Sequence, residues 1–287
     1  MKIAWVIDSS CAISHEFAAA HNVHVIPLQV AIDERRYDDM VDINEAEFYE
    51  MLDGHTVPRS SQPPIGSFIK LYRSLQNEGY NRIISIHLSE SLSGTVATAR
   101  LAAKEVDIPV EVINTGLVAK PMVYILQEGL RLYETTQSTF EDIVAAMSTI
   151  RDYAVGYFIV NDLAYLHRGG RLSATSALMG SLLQIKPILQ FKYQVFDVIS
   201  KVRTARKAKE FLFNLLENDV KQRGVREISI VHAHHLQEAE TWLRQVRERF
   251  PRIPIDISTL GTAVGAHSGP HAIGMAWLRE RCEPQTQ

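Results

Sequence analysis

Residues Arg82-Ile83-Ile84-Ser85-Ile86-His87-Leu88 run directly into Ser89-Glu90-Ser91-Leu92-Ser93-Gly94-Thr95. The first stretch is an apolar, β-branched run of strand length, and the second is a turn of small hydroxyl residues containing a glycine. A helical pattern over about 95–106 follows, so the whole reads as one strand-turn-helix unit. Similar strand-like runs occur at 3–7, 110–113, 155–160 and 227–231. Amphipathic helical stripes separate them: Phe68, Tyr72 and Leu75; Phe140, Ile143, Val144, Met147 and Ile150; and Leu236, Ala239, Trp242, Leu243 and Val246. Pro63-Pro64 and Gly79 bracket the first stripe, and Pro251 closes the third. Alternating strands and helices of this kind predict an α/β fold built around a mostly parallel sheet. The alternation breaks after about Val160, where Arg168-Gly169-Gly170-Arg171 precedes a mixed apolar stretch at 178–189. A domain boundary is therefore expected near 160, giving an N-terminal α/β unit at 1–160 and a C-terminal α/β unit at 161–287.

The chain has 287 residues, enough for two cores of ordinary size. A formal net charge of -3 argues against general nucleic-acid binding, which calls for a strongly basic surface. Its two cysteines, Cys11 and Cys282, rule out a disulfide framework and point to a reducing cytoplasm. The apolar start meets Asp8 too early for a secretory core, and no run approaches the ~18 apolar residues of a membrane span.

Several short constellations suit ligand chemistry, and each also has an ordinary structural use. The turn 89–95 gathers hydroxyls and unpaired backbone N–H groups at the start of a helix, where an anion is stabilised. Ser91 or Ser93 could equally cap that helix. Arg59-Ser60-Ser61-Gln62-Pro63-Pro64 offers Ser60 or Ser61 either to a ligand or as the cap of the Phe68 helix. Asp8-Ser9-Ser10 ends the first strand at the sheet edge where open α/β folds place ligands, and it too fits a cap. The run 261–274, with Gly261, Gly265, Gly269 and Gly274, holds His267 in tight backbone, poised to donate to an acid group or simply packed. His232-Ala233-His234-His235 lacks a carboxylate or cysteine at ligand spacing, so no metal site is expected. Lys201, Arg203, Arg206, Lys207 and Lys209 form a basic patch, suited to an acidic partner or to a solvated helix face. A P-loop, a GxGxxG fingerprint, HExxH and GxSxG are all missing, which lowers nucleotide-binding, dinucleotide-binding and esterase readings.

Taken in order, Asp8-Ser9-Ser10, Ser60-Ser61-Gln62-Pro63, Ser91-Leu92-Ser93-Gly94-Thr95, Arg168-Gly169-Gly170-Arg171-Leu172, Gly180-Ser181-Leu182-Leu183 with Ile185-Lys186-Pro187-Ile188-Leu189, Val202-Arg203-Thr204 and His267-Ser268-Gly269-Pro270 resemble the DegV family of bacterial fatty-acid-binding proteins. Better-studied members of that family are the lipid-carrying subunits of fatty acid kinase. The resemblance implies a two-domain α/β fold, an N-terminal mostly parallel sheet with flanking helices and a C-terminal α/β domain, with a long-chain fatty acid between them. It implies a carboxylate held by Ser93 with the backbone of Gly94, by Ser60, with Ser61 adjoining, and by His267. Arg171 and Arg203 are the candidates for phosphotransfer or docking at a separate ATP-binding kinase subunit. Ile26, Leu28, Leu163, Leu166, Leu182, Leu183 and Ile188 are the candidates for the acyl tunnel. The expected protein is a carrier without cofactor, catalytic residue or stable membrane insertion. The rival readings are a hydrolase using Ser93 and His267, and a sensor of a non-lipid small molecule. Asn114-Thr115, Ala119-Lys120-Pro121-Met122 and His271 depart from the family pattern beside the expected pocket.

Overall fold

The computed structural model describes residues 1–52, 56–135, 137–161, 163–172, 185–192 and 195–281. In chain order these form β1 (Ile3–Asp8), α1 (His15–Ala20), β2 (Val23–Ile26), β3 (Gln29–Ile32), β4 (Arg35–Asp38), α2 (Glu45–Glu50), β5 (Arg59–Ser61), α3 (Ile65–Asn77), β6 (Arg82–His87), α4 (Thr95–Ala102), β7 (Val110–Asn114), α5 (Lys120–Thr135) and α6 (Phe140–Ile150). They continue with β8 (Ala154–Ile159), α7 (Ala164–Arg168), β9 (Lys186–Lys192), β10 (Val195–Val202), α8 (Ala205–Gln222), β11 (Val225–His232), α9 (Leu236–Arg249), β12 (Ile255–Thr259), α10 (Gly261–Ser268) and β13 (Ile273–Arg279).

The β-branched runs of the first half pair as a parallel sheet in the order β2-β1-β6-β7. β1 and β6 carry apolar side chains on both faces, as strands covered on both sides must. A small antiparallel sheet, β4-β3-β5, is inserted between β2 and β6 in the chain. The second large sheet runs β10-β9-β8-β13-β11-β12 and is antiparallel except where β11 meets β12. β8 pairs with β13 and β9, so this sheet begins before residue 160, the boundary expected from the change in pattern.

The layers follow from which face each strand buries. Val6 and Ile83 pack outward on Phe68, Tyr72 and Leu75 of α3, while Trp5, Ile7, Ile84 and Ile86 face inward. On the other large sheet, Ile188, Ile228, Ile230 and Trp277 meet Leu212, Phe213 and Trp242 of α8 and α9. Between the two inner faces runs α5, which is apolar on most sides and contacts β6, β8 and β13. A helix buried nearly all round is what such a central layer requires. One continuous cluster of apolar side chains therefore spans both large sheets.

Candidate ligand-binding site

Two turns that the sequence singled out, and that lie about a hundred residues apart in it, interlock at one end of this inner layer. α7 ends in Gly169-Gly170-Arg171, and α10 ends in His267-Ser268-Gly269. A Cβ on Gly169 would stand 2.2 Å from Nδ1 of His267, so the imidazole lies flat against backbone that only glycine leaves bare. Gly269, at φ 72°, leaves the same kind of room for the Tyr165 ring.

Nε2 of His267 hydrogen-bonds Oγ of Ser60 at 2.7 Å. Ser60 comes from β5, and the alternation of that short strand turns it inward while Ser61 faces solvent. Ser61 is thus a correction to the expected carboxylate set, because side chains alternate along a strand. Neither serine caps α3, whose N-cap is Pro64 without a side-chain bond. Ser93 stands one residue before the Gly94 N-cap of α4, and its Oγ bonds Thr95 Oγ1 at 2.9 Å. Among the described residues no side chain caps α4, so its terminal N–H groups remain directed at the site end of the helix. The turn is braced from behind: Asn114 Oδ1 accepts from Glu90 N and Gly116 N, and Asp8 Oδ2 accepts from Leu88 N. Asp8 also bonds buried His87 and Ser10, so Asp8-Ser9-Ser10 serves mainly as a buried brace.

Arg171 completes this end. Its Nε donates to Leu92 O at 3.1 Å and its Nη1 to Gly169 O. It is half-buried, burial lowers its pKa, and no carboxylate among the described residues pairs with it. Burial, helped by the Arg171 charge, pushes the His267 pKa down to about 4, so the imidazole is neutral at pH 7. Nδ1 of His267 is buried without a hydrogen-bond partner among the described residues.

Ser60, Ser93, Arg171 and His267 line the polar end of a cavity with about 920 Å³ of atom-free space, its open mouth included. Almost all the remaining wall is apolar. Leu28, Leu88 and Leu92 come from the parallel-sheet side, Leu117, Val118, Ala119 and Pro121 from the entry to α5, and Phe158, Phe191 and Phe196 from the six-stranded sheet. The three phenylalanines pack edge to face on one another, Phe196 against both Phe158 and Phe191.

Of the expected tunnel residues, Leu28 and Leu166 line this cavity. Ile26 and Ile188 do not, because strand alternation turns Ile26 toward Phe68 and Ile188 toward Leu212. Leu163 is buried in the shared core behind the wall. Leu182 and Leu183, with Gly180, Ser181 and Cys282, lie outside the described residues. Gly94 sits beside the Gln62 amide at the start of α4 and contributes no side chain. Arg203 is exposed just before α8 and is not on the cavity wall. Nearby, Arg206 pairs with Glu210 at 3.8 Å and Lys209 with Glu238 at 3.5 Å, so part of the basic patch is neutralised. Among the described residues no cluster of His, Cys, Asp and Glu has metal-holding geometry; His232 Nδ1 accepts from His235 N. No helix among them is long and apolar enough to cross a membrane.

The family model described as "Uncharacterised protein, DegV family" matches residues 2–280. The chain belongs to the DegV family. Protein DegV of Bacillus subtilis (strain 168) is 35% identical over 279 residues, covering 96% of this chain and 99% of the relative. The crystal structure of DegV from Bacillus subtilis, described as a fatty acid binding protein, superposes with a TM-score of 0.90 at 35% identity, covering 98% of this chain and all of the other. A stearic acid-binding protein from Eubacterium ventriosum superposes with a TM-score of 0.89 at 25% identity, covering 97% of this chain and 98% of the other. The α/β architecture read from the sequence is the one these two structures share. Within this DegV protein the three departures from the family pattern fall differently: Ala119 and Pro121 are on the cavity wall, Asn114 braces the 89–95 turn, and His271 packs on His235 away from the wall.

Proposed function

We propose that this chain binds a long-chain fatty acid, with the acyl chain in the cavity between the two large sheets and the carboxylate at Ser60, Ser93 and His267. The observation that carries the reading is the pairing of a nearly all-apolar wall with one end where a half-buried Arg171, lacking a carboxylate partner among the described residues, meets a neutral histidine and two hydroxyls. A buried cation without a counter-ion favours an anionic guest, and the apolar wall favours a long hydrocarbon. At ~0.8 kcal/mol per methylene, about fifteen methylenes supply roughly 12 kcal/mol before ordering and translational costs. The head-group contacts then need only offset desolvation of the carboxylate and set its orientation.

Fatty acid binding by family members named for it supports the same reading. The finer proposal is that the chain, acting in the cytoplasm and without a cofactor, presents the carboxylate to a separate ATP-binding kinase subunit, with Arg171 and Arg203 facing that partner. Its two halves, divided near residue 160, act as the two jaws around the acyl chain. The hydrolase reading finds less support. His267 engages Ser60 rather than Ser93, and among the described residues no carboxylate orients its Nδ1, so those residues assemble no Ser-His-acid relay.

Native purification followed by solvent extraction and mass spectrometry tests the reading. A stoichiometric C14 to C18 fatty acid is the expected result, and a clean extract from folded protein would overturn it. With a kinase subunit and ATP, Ser93→Ala and His267→Ala are expected to reduce acyl-phosphate formation more than lipid binding. Equal loss of both would show that anchor and tunnel are wrongly assigned.

A further inference from the structure

Asp39 follows β4 and is 1% exposed, yet it takes no part in the cavity wall. Both of its oxygens are engaged by elements distant in sequence. Ser9 Oγ donates to Oδ2 at 2.7 Å, and Thr262 Oγ1 donates to Oδ1 at 2.5 Å. The backbone N–H groups of Thr262 and Ala263 lie close enough to favour its charged form. These are the first-turn amides of α10, which has no capping side chain of its own at Leu260. The carboxylate therefore acts as an N-cap delivered from another part of the fold, and it also balances the positive end of the helix. Ser9 Oγ in turn accepts from Leu28 N, tying the arrangement to a residue of the cavity wall.

α10 carries Ala263, Val264, His267 and Ser268 onto that wall. From Thr262 to His267 is five residues, about 7 Å of helix rise, so a small shift at the first turn is passed on to the imidazole. The far end of the lever is a 2.7 Å contact with Ser60, which a displacement of about 1 Å would break. We infer that Asp39 is a positioning residue for the head-group site: by fastening the first turn of α10 to Ser9 and to the β4 segment, it holds His267 in register with Ser60. This rests on the fatty-acid reading for its binding consequence and on geometry alone for its effect on His267.

The test uses delipidated full-length protein with Asp39→Asn, Thr262→Val and Thr262→Ser. Calorimetric titration with palmitic acid and with 1-hexadecanol separates loss of head-group register from loosening of the core. Asp39→Asn and Thr262→Val are expected to weaken palmitic acid about tenfold and hexadecanol by about twofold or less, the size of one misplaced charge-assisted hydrogen bond. Thr262→Ser, which keeps the hydroxyl, is expected to stay within about twofold of wild type. Equal weakening of acid and alcohol would overturn the inference.

A second readout needs no ligand. NMR titration of the His267 ring in Asp39→Asn is expected to move its midpoint upward from about 4, because an imidazole out of register gains solvent. Removing a negative charge would by itself move it downward, so the two explanations differ in sign. An unchanged or lowered midpoint would refute the positioning role. If wild-type protein binds neither palmitic acid nor hexadecanol, the fatty-acid reading fails, and the ring titration still decides what Asp39 does.

Discussion

His267 is held neutral by burial and by Arg171, and that preference is linked to stability. A histidine whose folded pKa lies below its unfolded value opposes folding once the unfolded chain begins to take up protons. Its stabilising influence is complete above about pH 6.5 and is lost as pH falls toward about 4. Between those limits the cost reaches about 2 kcal/mol at pH 5. Urea unfolding at pH 7 and pH 5 measures it: wild type is expected to lose about 2 kcal/mol more between the two than His267→Gln does. Identical losses would mean that the ring is not buried as described. Gly169 gives a second test at this scale. Gly169→Ala drives a methyl group into the imidazole, so a loss of about 1–3 kcal/mol is expected, together with weaker fatty-acid binding. Thermal unfolding and palmitic acid titration report the two effects separately.

Strands pose a question of parity that composition does not answer. In β9, Ile188 and Leu189 are both fully buried, yet Ile188 faces α8 while Leu189 and Phe191 face the inner layer. Both faces of a covered sheet demand apolar residues, so the sequence shows a strand but not which of its residues meet the cavity. That is why apolar patterning offers Ile26 and Ile188 for the tunnel and passes over Phe158, Phe191 and Phe196, which the wall contains. The polar end was easier to read. Ser60, Ser93, Arg171 and His267 sit where strands or helices end, and a hydroxyl, a guanidinium or an imidazole beside glycine stands out from its neighbours. Ser61 shows the limit, because choosing between adjacent serines again needs the parity of a strand, here only three residues long. The strand-helix alternation marks β1, β6 and β7 of the parallel sheet but not its edge strand β2, whereas the antiparallel pairing of β8, β9 and β13 depends on contacts far apart in sequence. Parity makes its own prediction. Phe191→Ala and Ile188→Ala should each cost about 2–5 kcal/mol in stability, but only Phe191→Ala should alter the set of acyl chains recovered on extraction. Mass spectrometry of both extracts checks it, and a matching change in the two would place Ile188 on the wall.

At the scale of the whole molecule, α5 decides whether the two large sheets behave as one body. Its inner residues, Met122, Ile125 and Leu126, belong to the same apolar cluster as Ile84 of the parallel sheet and Ala276 of the other. Tyr124 OH donates to Ala276 O at 3.3 Å. Farther along, buried Glu128 accepts from Arg131 and Arg281, each at 2.9 Å, with Arg226 3.8 Å away. Burial alone would raise the Glu128 pKa, but the Arg131 hydrogen bond and the three guanidinium charges hold it below the usual carboxylate range. Since Arg226 lies in β11 and Arg281 just beyond β13, this carboxylate fastens α5 to the six-stranded sheet. Unfolding is therefore expected to be one cooperative transition in calorimetry, with or without lipid. A fatty acid held at a hundredfold excess over its Kd would add about 2.7 kcal/mol, which for a protein of this size moves the transition by roughly 4–5 °C. Glu128→Ala leaves three arginines facing one another across the seam and should lower the transition temperature both with and without lipid. If that variant instead unfolds in two separated steps, the seam at α5 is what makes the sheets a single unit; if the wild type already does so, the shared core is weaker than its continuity implies.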